Sequence, residues 1–273
     1  MIIVIHYREQ VRKIKPLVPV ITNNVTINDV ANAMIACNIR PVMSSQIDEV
    51  EDLINYSQGI ALNMGNSNYK TLLQPAATLA QKHQKPVVLD PVGVGNIKAR
   101  LELATKLIQK KLVTAVKGNA SEILTLINRS PQGIGVDVSP EDEITDKNCR
   151  MYLEKITQFA RKYDLIVIMT GAIDLISDGV NEGLIFNGHK MMADYSGGGC
   201  QLTALLAGFI AANPENKFHA ATACLVQYGV AGEIAYQNLN SIDGNSTYRH
   251  RVIDSLYRLK DDDLERMANY EIR

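Results

Sequence analysis

The chain has 273 residues, and 28 Lys and Arg against 29 Asp and Glu leave a formal net charge of −1. That balance offers no basic excess for nucleic acid or an anionic membrane surface, while 46% hydrophobic and 21% charged residues exclude a disordered chain. At roughly 150 residues per domain the length allows one or two domains, and a single α/β domain over 1–273 is expected.

In chain order, the opening apolar run Ile2 to Ile5 is too short for a secretory signal core, and charges follow closely. Short β-like runs then alternate with helical segments. Strands are predicted at Arg40–Met43, Gly59–Met64, Pro86–Asp90, Val113–Lys117 and Leu165–Thr170. Helices are predicted at Asn28–Cys37, Ile47–Tyr56, Tyr69–His83, Ile97–Lys111 and Asn148–Tyr163, and Gln132 to Lys147 reads as a surface loop. This alternation implies parallel strands joined by right-handed crossovers with helices on both faces. The run Val87 to Asp90 is continuously apolar up to its last residue, as in a strand buried on both sides. After Thr170, DLISDG and GLIFNG carry hairpin turn signals and predict an antiparallel meander at the sheet edge. From Cys200 onward the pattern is helical (Gln201–Ala211, Phe218–Gln237, Tyr248–Leu259) before a charged tail. The apolar stretch Leu202 to Ala212 is about half of the ~20 residues needed to cross a bilayer, so no membrane association is expected. Cys37, Cys149, Cys200 and Cys224 are far apart without a CxxC pair, which points to reduced thiols and a cytoplasmic protein.

Chemistry concentrates at predicted strand ends. Ser196-Gly197-Gly198-Gly199-Cys200 precedes an apolar helix, and three glycines there can turn backbone N–H groups onto one anion. Cys200 falls in the helix's first turn, where the positive end of the helix is expected to lower its pKa and favour thiolate. Asp90 ends a buried strand and runs into Pro91-Val92-Gly93, where open α/β sheets bind ligands. Lys117-Gly118-Asn119-Ala120-Ser121-Glu122 ends another strand. Asn119 and Glu122 have capping-box spacing, which also holds Glu122 near Asp90, suitable for Mg²⁺. Lys117 can reach a nucleotide phosphate, and Thr170-Gly171 closes a fourth strand beside it. A glycine nest, two carboxylates and a cation are what phosphoryl transfer requires. GxxxxGK[ST], an opening GxGxxG and GxSxG are all missing, so P-loop, dinucleotide and Ser-His-Asp readings fail.

These residues resemble the hydroxyethylthiazole kinase family of the ribokinase-like superfamily, in order from about Pro16 to Leu259. The motifs are Ile21-Thr22-Asn23 with Asn28 and Ala31-Asn32, Pro41-Val42-Met43, Leu62-Asn63-Met64-Gly65, Leu89 to Gly95, Gly118-Asn119-Ala120 with Glu122, Gly135-Val136-Asp137, Thr170-Gly171, Asn187-Gly188-His189 and Ser196 to Cys200. The resemblance implies a three-layer α/β/α sandwich with a mostly parallel sheet, an antiparallel edge meander and a helical C-terminal region. It implies ATP-dependent phosphorylation of 4-methyl-5-(2-hydroxyethyl)thiazole, a salvage step toward thiamine. Cys200 is then beside the substrate hydroxyl to accept or orient its proton, and Gly197, Gly198 and Gly199 cradle the phosphoryl group. Asp90 and Glu122 hold Mg²⁺, Lys117, Thr170 and Asn119 serve ATP, and Met43, Asn23 and Gly197 face the thiazole. The family also implies a homotrimer with pockets between subunits. The chain departs from the family pattern at Pro19 (usually His), Asn24 (Tyr), Asn66 (Thr), Lys117 (Arg), Ser196 (Thr) and Gly198 (Thr or Ala), the first three near the expected thiazole pocket. Competing expectations are a kinase for a related alcohol such as hydroxymethylpyrimidine, or a catalytically weak protein of the same fold that binds thiazole or nucleotide. A dehydratase of the same superfamily fits less well, because such enzymes resemble an Asp-bearing loop where Cys200 stands.

Overall fold

Continuously apolar tetrads and pentads build the centre of the molecule, a computed structural model that describes residues 3–128, 144–145 and 147–273. Helix α1 (Ile3–Ile14) leads into β1 (Leu17–Ile21), followed by α2 (Ile27–Ala36), β2 (Arg40–Met43), α3 (Ile47–Ile54), β3 (Ile60–Asn63), α4 (Tyr69–Lys82), β4 (Val87–Asp90), α5 (Lys98–Gln109), β5 (Ala115–Asn119) and α6 (Ala120–Asn128). Then come α7 (Cys149–Tyr163), β6 (Ile166–Thr170), β7 (Asp174–Ser177), β8 (Glu182–Ile185), a short 3-10 helix (Lys190–Ala193), α8 (Gly198–Ala212), α9 (Lys217–Gln237), α10 (Asn245–Arg258), α11 (Asp261–Met267) and β9 (Tyr270–Ile272). Most of the predicted loop Gln132 to Lys147, and the Gly135-Val136-Asp137 motif, lie outside the described residues.

The nine strands form one sheet in the order β2-β1-β3-β4-β5-β6-β7-β8-β9. The pairs from β2 through β6 are parallel and the last three are antiparallel, so the predicted edge meander is present. It is extended by β9, because the tail predicted only as charged turns back to pair with β8. Helix α1 is clipped to the C-terminal segment by Arg8, which donates to the Asp261 carboxylate and the Leu259 carbonyl.

Two apolar layers sandwich the sheet, since alternate strand residues face opposite sides. Ala61, Val88 and Ile168 face α1, α2 and α8–α10, while Ile60, Leu62, Leu89 and Val167 face α3–α7. Helix α8 is buried on nearly every side between sheet and helices, which explains its almost wholly apolar sequence. Strand β1 carries Pro19 at its centre. Its ladder with β3 is confined to Val20↔Ala61 and Ile21↔Leu62, past the residue with no N–H to give.

The chain crosses from β1 to β2 on one side and then reaches β3 on the other. The carboxyl ends of β1 and β3 therefore flank a topological switch point, where open α/β sheets place a cleft.

Candidate active site

The residues after the switch-point strands converge on the start of α8. Gly197 caps this helix with φ of 101°, and a Cβ there would lie 2.7 Å from Thr26 Cγ2, so both conformation and space demand glycine. The first intrahelical bond runs from Gln201 N to the Gly197 carbonyl. Helix geometry thus leaves the N–H groups of Gly198, Gly199 and Cys200 directed out of the first turn, an anion-binding arrangement.

Cys200 is half-buried at this turn. Its Sγ accepts from Asn23 Nδ2 at 3.3 Å and from Asn63 Nδ2 at 3.2 Å. Neither amide is free to turn over. Asn23 Oδ1 accepts from the backbone N–H groups of Val25 and Thr26, and Asn63 Oδ1 from that of Gly65 at 2.8 Å. The expected low thiol pKa is not found. Burial, and then the Asp90 charge, raise the Cys200 thiol above its usual value despite opposing bonds from Thr26 and Asn23 and the nearby Lys117. Local helix polarity is outweighed by what the fold packs around the sulfur.

Sheet register brings the other groups together. Asn63 and Asp90 are register partners on β3 and β4, as are Asn119 and Thr170 on β5 and β6. The buried Asp90 Oδ2 accepts from Asn63 Nδ2 at 3.0 Å and Thr203 Oγ1 at 2.9 Å, and lies 3.7 Å from Lys117 Nζ. Lys117 is buried rather than solvated, and donates to the Gly199 carbonyl at 3.2 Å. Burial pulls its pKa down, but Asp90, Glu122, Cys200 and Asp174 together outweigh this and raise it, so it remains a cation. Thr170 Oγ1 donates to the Gly118 carbonyl at 3.3 Å.

Glu122 forms the predicted capping box: its N–H donates to Asn119 Oδ1 at 2.9 Å, and its Oε2 accepts from Asn119 N at 3.0 Å. Oε1 accepts from Gly93 N at 3.1 Å, tying the loop after β4 to α6. Burial, then the Asp90 charge, push its carboxyl up to about 7. Among the described residues no group of three or more His, Cys, Asp or Glu encloses a metal. Two mutually repelling carboxylates beside one lysine nevertheless fit Mg²⁺, which is commonly held by one or two carboxylates with phosphate oxygens and water.

Met43 lies at the end of the edge strand β2, half-buried against the core. Of the departures from the family pattern, Pro19 sits at the centre of β1, in register with Val42, the residue before Met43 on β2. Asn24 is exposed, and Asn66 donates to the Thr22 carbonyl at 2.7 Å, joining the loops after β1 and β3. Sequence reasoning assigned no role to Asn63, Thr26, Thr203 or Asp174. Asn63 had a signal, an amide closing an apolar strand. Asp174 opens β7, accepts from Gly171 N at 3.0 Å, and is pushed up to about 7 by burial.

The model of the Hydroxyethylthiazole kinase family matches residues 9–262. A hydroxyethylthiazole kinase of Clostridium acetobutylicum is 38% identical over 96% of this chain and 97% of its own length, and one of Clostridioides difficile is 37% identical with the same coverage. Among solved structures, a hydroxyethylthiazole kinase from Pyrococcus horikoshii superposes over 100% of both chains with TM-score 0.87 at 29% identity. A Staphylococcus aureus pyridoxal kinase in complex with pyridoxal, 17% identical over 94% of this chain and 98% of its own, shares the fold with TM-score 0.60. A cleft at the switch point, closed by a glycine turn and a cysteine, thus lies within a chain matched nearly end to end, and this chain belongs to the hydroxyethylthiazole kinase family.

Proposed function

We propose that the cleft between the start of α8 and the ends of β1, β3, β4 and β5 is where this chain transfers the terminal phosphoryl group of ATP to the hydroxyl of 4-methyl-5-(2-hydroxyethyl)thiazole. That reaction, a step in thiamine salvage, is the one its family membership assigns. One observation carries the placement: Cys200 Sγ, the Gly197–Cys200 turn, Lys117 and Asp90 occupy a single cluster linked by contacts of 3.2–3.7 Å.

The roles follow from the chemistry. The N–H groups of Gly198, Gly199 and Cys200 hold the transferring phosphoryl group, where donors and positive charge matter more than covalent help. Lys117 adds a fixed cation, and its bond to the Gly199 carbonyl keeps it there. Asn119 and Thr170, register neighbours, flank the nucleotide. Cys200 orients the alcohol and, as the thiolate, takes its proton as the oxygen–phosphorus bond forms and ADP leaves, while Asn23 and Asn63 hold the sulfur in place. Asp90 and Glu122 would hold Mg²⁺, which supplies charge neutralisation on the phosphates. Met43, Asn23 and the Gly197 backbone face the thiazole.

The chain is read as one domain that works as a homotrimer in the cytoplasm, with thiazole pockets between subunits. Support for the assembly comes from the position of Met43 on an edge strand and from the apolar Val25, just before α2, and Ile35 on α2, which are 82% and 59% exposed. Among the described residues no helix is long and apolar enough to cross a membrane.

An assay with ATP and Mg²⁺ against a panel of alcohols tests the substrate. Hydroxyethylthiazole is expected to lead in kcat/KM; a tenfold preference for hydroxymethylpyrimidine or another alcohol, or thiazole binding without ATP consumption, would overturn the reading. Sedimentation of the purified protein tests the trimer, and a monomer with full activity removes the shared pocket.

A further inference from the structure

Behind the glycine turn lies a buried cluster that none of these roles uses. Tyr228 of α9 places its hydroxyl 3.0 Å from the Gly198 carbonyl, 3.0 Å from Gln201 Oε1 and 2.9 Å from the Tyr195 hydroxyl. All three side chains are buried. Burial raises both phenols, Tyr195 to about 12 and Tyr228 well above its usual value, so each keeps its proton.

Tyr228 has one proton for three neighbours, and the cluster itself decides where it goes. The Gly198 carbonyl can only accept. Tyr195 can donate to the Tyr228 oxygen. Gln201 Nε2 is buried without a partner while its Oε1 faces Tyr228. Turning that amide over gives the unpartnered Nε2 a bond to the Tyr228 oxygen. Tyr228 then receives from two groups and gives its proton to the Gly198 carbonyl. The ring of Tyr195 closes the arrangement: a Cβ on residue 198 would lie 3.1 Å from its hydroxyl oxygen and 3.3 Å from Cζ, so glycine at 198 makes room for it.

The Gly198 carbonyl and the Gly199 N–H belong to one rigid peptide plane. A donor on the carbonyl fixes that plane and polarises its N–H, which points to the opposite side, out of the helix start. We propose that Tyr228, supported by Tyr195, is a positioning residue for phosphoryl transfer, holding the Gly198–Gly199 peptide so that the Gly199 N–H stays aimed at the transferring group. This rests on the reading of the turn as the phosphoryl site.

Tyr228→Phe removes only the hydroxyl. It is expected to lower kcat about three- to tenfold, the scale of one hydrogen bond, with KM for the thiazole alcohol unchanged. Protein isotope-labelled at glycine nitrogen provides a second readout: adding ADP, magnesium and aluminium fluoride should shift the Gly199 amide signal in the unsubstituted protein and shift it less in Tyr228→Phe. Tyr195→Phe should show the same pattern at about twofold, not additive with Tyr228→Phe. A Tyr228→Phe protein that is less stable but keeps full kcat and the full Gly199 response would overturn the proposal. Should that variant fail to fold, unchanged kcat and response in Tyr195→Phe would do so instead. A Gly199 signal that ignores the transition-state mimic in the unsubstituted protein removes the phosphoryl site itself, and the proposal with it.

Discussion

Stability of the ligand-free protein is expected to fall as pH rises through neutrality, and Glu122 sets the scale. Its carboxyl, buried in the first turn of α6, stands at about 7 in the folded chain against an ordinary 4.5, for burial and the Asp90 charge outweigh Lys117 and two backbone N–H groups. The folded state therefore keeps a proton that the unfolded state releases between these values. By linkage its contribution is full below about pH 4.5 and is lost progressively as pH climbs to 7. At about 1.4 kcal/mol per unit, the loss from this one site is on the order of 3 kcal/mol, a large part of a typical 5–15 kcal/mol total. Asp174, raised by burial, acts in the same direction.

Urea unfolding at several pH values from about 5 to about 8 measures the slope, and Glu122→Gln isolates the site because its amide cannot ionise. The unsubstituted protein should lose stability with pH more steeply than Glu122→Gln. Mg²⁺ with ATP, which favours the ionised carboxylate, should restore more stability near pH 8 than near pH 5. Equal slopes in the two proteins would refute the reasoning, since they would mean that Glu122 ionises at its ordinary pH despite its surroundings.

Cys200→Ala should cut turnover by roughly 10²–10⁴, the usual range for general-base help, without abolishing it, and Cys200→Asp should remain active. Because the thiol is raised, kcat of the unsubstituted enzyme should climb on the alkaline side of neutrality, and a flat alkaline profile would count against proton acceptance by sulfur. Gly197→Ala forces a side chain into φ of 101° against Thr26, so about 1–3 kcal/mol of stability and most of the activity should go together; equilibrium unfolding and the kinase assay check both. Asp90→Asn leaves Lys117 with Glu122 and Asp174 as remaining counter-charges, and should cost about 1–3 kcal/mol in unfolding experiments while raising the Mg²⁺ concentration needed for turnover.

Much of the fold was legible because its strands are short apolar runs between helical segments, and the meander announced itself through Asp-Gly and Asn-Gly turns. Strand β1 was not among the predicted strands, for Pro19 interrupts its apolar run; the sheet accommodates that proline by pairing β1 with β3 only beyond it. Strand β9 was hidden because three residues in a charged tail acquire strand character only from β8 beside them. The site divides in the same way. Asp90, Lys117, Glu122 and the glycine turn were readable from strand ends and local spacing, and Glu122 makes the capping box its spacing predicts. What failed was an inference from local polarity to proton affinity. The start of α8 does offer Cys200 a positive environment, yet the same topology that delivers it there also buries it and sets Asp90 nearby, and these terms dominate. Asn63 makes the point from the other side. As an isolated residue it is an unremarkable amide, but the β3–β4 register puts it against Asp90, the switch point puts it against Cys200, and the Gly65 N–H fixes which end of the amide both of them meet. A donor's direction is thus a property of strand order, and no reading of spacing along the chain contains it.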